Sequence, residues 1–253
     1  MRSLFPLSFS AMLSAMLFAC GTDQAPGTTE PVPVVDTAVT PFADVDWPGY
    51  YTGSLRTPNL PEIEFELWVR SDSTFVRRTQ FVGRDSIPVG IIGQWHVVNG
   101  CMTIGATGDK PDFWRYTATG LLMVDEMGAT STEGPSVVLE KLAGELGDAI
   151  PRMRLKGTFI YMADAQSFRP CGSSFSWPCV GGMDLGEEEG DPEVALTNVD
   201  LQKAYGKAVK KGGDPWTIEA VCTMGMGPAM KGDGADEYIF IEQVIGTASA
   251  GCP

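Results

Sequence analysis

Six cysteines, twelve methionines and a single histidine supply the softest and most readily titrated donors of this 253-residue chain. The cysteines are Cys20, Cys101, Cys171, Cys179, Cys222 and Cys252, and no two of them form a Cys-x-x-Cys pair. That spacing excludes a zinc ribbon and a thioredoxin-type redox motif. Cys222, Met224 and Met226 recur two apart, with Met230 following. Thiolate and thioether donors select Cu(I), so Cys222, Met224 and Met226 are the candidate copper ligands, with Cys101 and Met102 as a second thiol–thioether pair. The same alternation describes an apolar stripe in a strand, and core packing is the first reading of it. His96 sits in a strand-like run, with no Gly-x-Ser-x-Gly elbow elsewhere and no further ligands at zinc spacing. No nucleophile has a base beside it, and no phosphate loop or dinucleotide fingerprint is present. The expectation is a non-enzymatic protein with no confidently assigned metal or cofactor.

The elements that hold these residues begin with a leader. Residues 1–19 carry one base, Arg2, followed by an apolar run too short and too badly flanked to span a bilayer, which reads as a secretory signal. It ends in Leu17-Phe18-Ala19-Cys20-Gly21, which resembles a bacterial lipobox. The resemblance implies a diacylglyceryl group on Cys20, cleavage before it, and acylation of the new amine by a palmitate-class chain. More than one acyl chain is what stable anchoring requires. Gly21, rather than Asp, after Cys20 favours the outer membrane, facing the periplasm. Residues 20–46, rich in Pro, Thr, Gly and Asp, show no period and read as a flexible lipidated tether. The formal charge is -14. A surface of that sign lacks the basic footprint that nucleic acid needs, so membrane attachment falls to the anchor. Dispersed cysteines in an exported chain read as disulfides in an oxidising compartment.

Residues 47–145 contain short strand-like runs between turn signals, at 50–55, 63–69, 74–81, 91–98, 102–104, 114–119, 121–125 and 137–140. Ile63, Phe65, Leu67 and Val69 alternate cleanly with polar or outward positions. Asn99-Gly100 is a hairpin signal. Regular strands without a helix predict an antiparallel meander or small barrel. Residues 143–151 read as a Gly-containing joint. In residues 152–253 a strand at 157–161 precedes a tight or single helical turn over 162–168, which leads into Arg169-Pro170-Cys171. A strand at 176–180 and an acidic loop with Glu187, Glu188 and Glu189 follow. A helix is capped near Thr197 or Asn198, with Leu201, Ala204, Tyr205, Ala208 and Val209 on one face. Two strands, at 216–224 and 238–245, close the unit. Five strands with one helix before the fourth is the arrangement of an OB-fold. Asp164 is placed to bond nearby backbone amides in its turn.

Gly157, Phe159, Tyr161, Met162, Ala163, Asp164, Ala165, Phe168 and Cys171 follow a pattern that resembles the C-terminal domain of the NlpE family of envelope lipoproteins. The likeness continues through Met230-Lys231-Gly232-Asp233-Gly234, Ile245-Gly246 and Cys252. Tyr51, Thr52, Gly53, Leu55, Pro61, Ile63, Gly93-Gln94-Trp95, Thr103-Ile104 and Gly120-Leu121-Leu122 resemble the family's N-terminal domain. The resemblance implies a mainly all-β chain, with an N-terminal lipocalin-like antiparallel β-barrel and then a C-terminal OB-fold domain with one helix. It implies a disulfide between Cys171 and Cys252, which leaves Cys179 and Cys222 as a candidate second pair and Cys101 as a lone buried thiol. It also implies a role in copper homeostasis and in signalling envelope or surface stress to the periplasmic domain of a sensor kinase. Thr57 and Leu60 stand where the family carries a Cys-x-x-Cys, so any metal or redox role of that motif does not carry over. The second functional reading is a periplasmic lipocalin-like binder of a small apolar ligand.

Overall fold

The computed structural model describes residues 45–105, 110–130, 136–143, 149–182, 196–247 and 251–252. Among these residues are thirteen strands and one helix. The first eight are β1 (Gly49–Leu55), β2 (Ile63–Val69), β3 (Thr74–Phe81), β4 (Val89–Val98), β5 (Cys101–Gly105), β6 (Asp112–Thr117), β7 (Gly120–Val124) and β8 (Val138–Leu142). Each pairs antiparallel with its sequence neighbour, and β8 returns to β1 through Tyr50↔Leu142 and Thr52↔Glu140. The sheet is therefore a closed up-and-down barrel, which leaves no free edge. Turn chemistry fixes its register. Asn99 and Gly100 both take positive φ, 50° and 74°, which matches the twist of a two-residue hairpin between β4 and β5.

Alternation decides what lies inside this barrel. Tyr51, Leu67, Val69, Phe75, Met102, Ile104, Trp114, Leu121 and Leu139 form a buried inner cluster. The chain plugs one end on entry: Trp47 is buried there, its carbonyl accepts the Tyr51 hydroxyl at 2.6 Å, and its ring meets Tyr116 edge-on at 5.6 Å.

The remaining strands are β9 (Ile150–Met162), β10 (Ala165–Pro170), β11 (Trp177–Gly181), β12 (Trp216–Pro228) and β13 (Ala235–Thr247). β9 pairs with β10 and β12, β12 with β13, β13 with β11 in parallel, and β11 with β10. That circuit, with the helix α1 (Asn198–Ala208) between β11 and β12, is the five-stranded OB arrangement. Thr197 caps α1, its hydroxyl accepting the Asp200 amide at 3.1 Å. Leu201 and Tyr205 are the helix residues buried against the barrel.

Of the two readings of residues 162–168, the tight turn holds and the single helical turn does not. Ala163 and Asp164 have φ of 50° and 64°, a two-residue hairpin turn, and the chain continues at once as β10. Asp164 accepts the Tyr161 hydroxyl at 3.0 Å, where backbone amides were expected as its partners. The strands β12 and β13 are also longer than their apolar cores suggested, because each extends past the barrel as a paired arm.

Candidate functional site

The OB unit delivers Cys171 at the end of β10. Its amide donates to the Lys156 carbonyl at 2.8 Å, which holds it beside β9. The chain leaving β13 brings Cys252 to the same place. The two are disulfide-bonded, with Cα atoms 4.9 Å apart and a sequence separation of 81. Thr158 of β9 lies against the Cys252 sulfur at 3.6 Å. Both cysteines are half-buried.

Cys179 and Cys222 are not joined; each is a free buried thiol, as is Cys101. Cys179 stands opposite Ile239 on one side of β13, and Cys222 opposite Ile241 on the other. Two strand spacings are about 9.6 Å, beyond the Cα separation that a disulfide spans. β13 therefore keeps the pair apart. Burial raises the pKa of both thiols, and each carries a further upward push, from the other thiol at Cys179 and from Glu242 at Cys222. Cys222 donates weakly to the Ala220 carbonyl at 3.6 Å.

The copper candidates do not converge. Cys222 and Met224 are packed in the core among Met153, Leu155, Ile239 and Ile241, while Met226 lies further along the strand with 46% of its surface exposed. A Cu(I) site needs a thiolate, and burial favours the neutral thiol here. At the positions of the family's Cys-x-x-Cys, Thr57 is half-buried and Leu60 is exposed on the loop between β1 and β2. Among the described residues no three His, Cys, Asp or Glu side chains gather as a metal cluster, and these donors do not fit copper. His96 is exposed on β4. Cys20 and the Glu187–Glu189 run fall outside the described residues.

A second feature escaped the sequence reading. Trp68, Val76 and Ile92 face outward from β2, β3 and β4, yet all three are buried in one cluster with Met153, Leu155, Phe168, Trp177 and other OB residues. Both barrels lie in the same compact unit of the chain, Val39–Pro253. Around this seam Arg70 makes a two-pronged ion pair with Glu237, at 2.8 and 2.5 Å, and Trp177 Nε1 donates to the same carboxylate at 2.8 Å. Arg78 bonds Glu66, stacks over Trp68 at 5.9 Å, and donates to the Arg152 carbonyl at 3.0 Å. Val89 of β4 pairs in parallel with Arg154 of β9. β13 is thus held at both ends, by Arg70 near its start and by the Cys171–Cys252 bond beyond its finish. The available signal was an apolar residue on the outward face of each of three neighbouring strands.

Residues 149–252 match the family model described as the NlpE C-terminal OB domain. This part of the chain is an NlpE-type OB domain. Its strand circuit, its helix between the third and fourth strands and the joined Cys171 and Cys252 all lie within the matched span. A solved structure of the Cpx pathway activator NlpE from Escherichia coli is 16% identical, covering 81% of this chain and 98% of its own, with a TM-score of 0.33. A likeness of that size carries no conclusion by itself. No curated protein matches the chain.

Proposed function

We propose that this chain is a non-enzymatic envelope lipoprotein of the NlpE type, anchored through Cys20 in the outer membrane and reporting envelope or surface stress to the periplasmic domain of a sensor kinase. The observation that carries the reading is the NlpE C-terminal OB domain itself, with a half-buried disulfide tying down its last strand. The leader ending in Leu17-Phe18-Ala19-Cys20 supports the anchor, and the run at 20–46 supplies a tether of up to roughly 90 Å when extended. An anchored, tethered module changes what it can touch when either the anchor or the fold fails. Loss of acylation frees it from the outer membrane. Loss of the Cys171–Cys252 bond releases the far end of β13, whose near end holds Glu237 against Arg70. Copper homeostasis is no part of the reading, since the candidate donors do not fit the metal.

The test is an envelope-stress transcriptional reporter in cells expressing the full chain, Cys20→Ala, or Cys171→Ser. Reporter induction several-fold above wild type by either variant at equal protein level supports the reading. Equal reporter output from all three, with the variants shown to be exported, overturns it.

A further inference from the structure

Beyond the OB barrel, β12 and β13 pair with each other alone. The ladder of β9 with β12 stops at Met224↔Ile150, and that of β11 with β13 starts at Cys179↔Ile239. Residues 225–228 and 235–238 therefore form a two-stranded arm with no paired strand on either flank. An isolated two-stranded ribbon is marginal in water. Glu237 ties this one down, through two hydrogen bonds from Arg70 of the first barrel and one from Trp177 of the OB unit.

The residue directly opposite Glu237 in the arm is Met226. Side chains directly opposite in an antiparallel pair share a face, with Cβ atoms about 4.5–5.5 Å apart. That face is the core-side one, since Ile239 and Met224, two residues along each strand, belong to the buried cluster. Met224 is 1% exposed, but Met226 keeps 46% of its surface in solvent. An accessible thioether thus stands beside the carboxylate that holds the arm. The other exposed methionines among the described residues are placed differently. Met127 and Met230 lie in connections, and Met162 closes its hairpin opposite Ala165. None of the three faces an ion-paired residue across a ladder.

We propose that Met226 is an oxidation site that controls the Arg70–Glu237 clasp, and that its reactant is a two-electron oxidant of the hypohalous-acid class. With hypochlorous acid the net step forms one S–O bond and breaks the O–Cl and O–H bonds. Sulfur loses two electrons, chlorine leaves as chloride, and the proton goes to water. The product is methionine sulfoxide, a polar side chain where an apolar one stood. Its oxygen is an acceptor set beside a carboxylate, and the donors that the clasp offers, Arg70 and Trp177, already serve that carboxylate. The new oxygen either draws a hydrogen bond away from Glu237 or stands unpaired against its negative charge. Both weaken the hold on the arm. Methionine sulfoxide reductases reverse the step. The site rests on the Arg70–Glu237 contact and not on the reporter role proposed above, so neither test decides the other.

The experiment uses the full chain with Cys20→Ala, which removes the acylation site and leaves every described residue unchanged. The folded chain is treated with a few equivalents of hypochlorous acid, and peptide mass spectrometry locates the added oxygen. Met226 should be oxidised along with Met127, Met162 and Met230, while Met102, Met153 and Met224 stay intact. Hydrogen exchange of the peptide amides at 225–228 and 235–238 should then speed up about tenfold, the opening that loss of one charge-assisted hydrogen bond gives. Reductase treatment should restore the slow exchange. Met226→Leu should keep the slow exchange after the same dose, although its other exposed methionines are oxidised. Met226→Gln, which carries a polar acceptor there without any oxidant, should match the oxidised parent. In Arg70→Ala, where the clasp is already open, the oxidant should change arm exchange less than about twofold. Met226 left unoxidised at a dose that converts Met230 overturns the site. Oxidised Met226 with unchanged arm exchange, or loosening that persists in Met226→Leu, overturns its control of the clasp.

Discussion

Arg70→Ala should loosen the seam between the two barrels by an amount that can be worked from its surroundings. The Arg70 and Glu237 side chains are 19% and 22% exposed, and the pair is joined by two hydrogen bonds. Exposed ion pairs contribute about 0.2–1 kcal/mol, and breaking a fully buried pair costs about 3–5 kcal/mol. Two parallel hydrogen bonds and four-fifths burial put this pair between those limits, at about 2 kcal/mol. The loss in Arg70→Ala is held down because Glu237 keeps the Trp177 indole as a donor. Urea unfolding, followed by tryptophan fluorescence and far-ultraviolet circular dichroism, should show one shared transition for the parent chain, because Trp68, Val76 and Ile92 belong to the same core as the OB strands. A cycle of Arg70→Ala, Glu237→Gln and the double variant should give a coupling energy of about 1.5–2 kcal/mol. Raising the salt to about 1 M should remove less than half of it, since screening acts mainly on exposed charges. Coupling below about 0.5 kcal/mol, the usual error of additivity, would refute the account of the clasp. Two separate transitions in the parent chain would refute the shared core.

Four further outcomes follow from particular residues. Cys171→Ser with Cys252→Ser should cost up to about 4.5 kcal/mol, the chain-entropy value for a closed loop of this length; calorimetry measures it, and an unchanged melting temperature would contradict it. Cys179 and Cys222 should resist iodoacetamide in the folded chain and react fully in urea, as mass spectrometry would register; rapid native labelling would sink the burial argument. Their folded pKa values lie above the ordinary thiol value of 9.0, so the unfolded chain loses these protons first as pH rises. Their contribution is therefore complete below pH 9.0 and falls above it, by up to about 1.4 kcal/mol per pH unit per thiol; Cys179→Ala with Cys222→Ala should flatten that slope between pH 9 and 10. Ala163→Gly should stabilise the OB unit by about 1 kcal/mol, because Ala163 sits at a φ of 50° where a Cβ is strained; a lower melting temperature would count against the hairpin turn.

Local patterns carried most of the fold. β2 and β3 have the bounds read from strand-like runs between turn signals, and in β2 the alternation of Ile63, Phe65, Leu67 and Val69 marks the face that lies inside the barrel. Thr197 was readable as a cap because its hydroxyl acts three residues away in the same chain. The hairpin at Ala163-Asp164 was not readable as such: neither residue is glycine or asparagine, and the tertiary pairing of β9 with β10 holds both at positive φ against local preference. A cysteine's partner is invisible to spacing alone. Cys171 and Cys252 were paired by family likeness, and the candidate second pair, Cys179 with Cys222 in the same unit, fails for a topological reason. The parallel placement of β13 between β11 and β12 is a non-local fact that no short window of sequence contains.

The same distinction separates the two sites. Trp68, Val76 and Ile92 each look like an ordinary apolar residue in an alternating strand, and only the register of β2, β3 and β4 gathers them on the outside of a barrel. An outward apolar stripe must be covered, and here the OB unit covers it. Inside the barrel the logic runs the other way. Arg77 shares the inner face of β3 with Phe75, Thr79 and Phe81, and Asp112 that of β6 with Trp114 and Tyr116, so each places a charge where its same-face neighbours carry none. Sequence offers those breaks as noise. Closure of the barrel brings the two breaks together as an ion pair, with Asp112 two residues from the buried Trp114 on the same face of β6. Violations of pattern that converge in space are where a fold has been bent towards a task. Here that convergence is the pairing of Arg77 with Asp112 inside the barrel, where each charge answers the other.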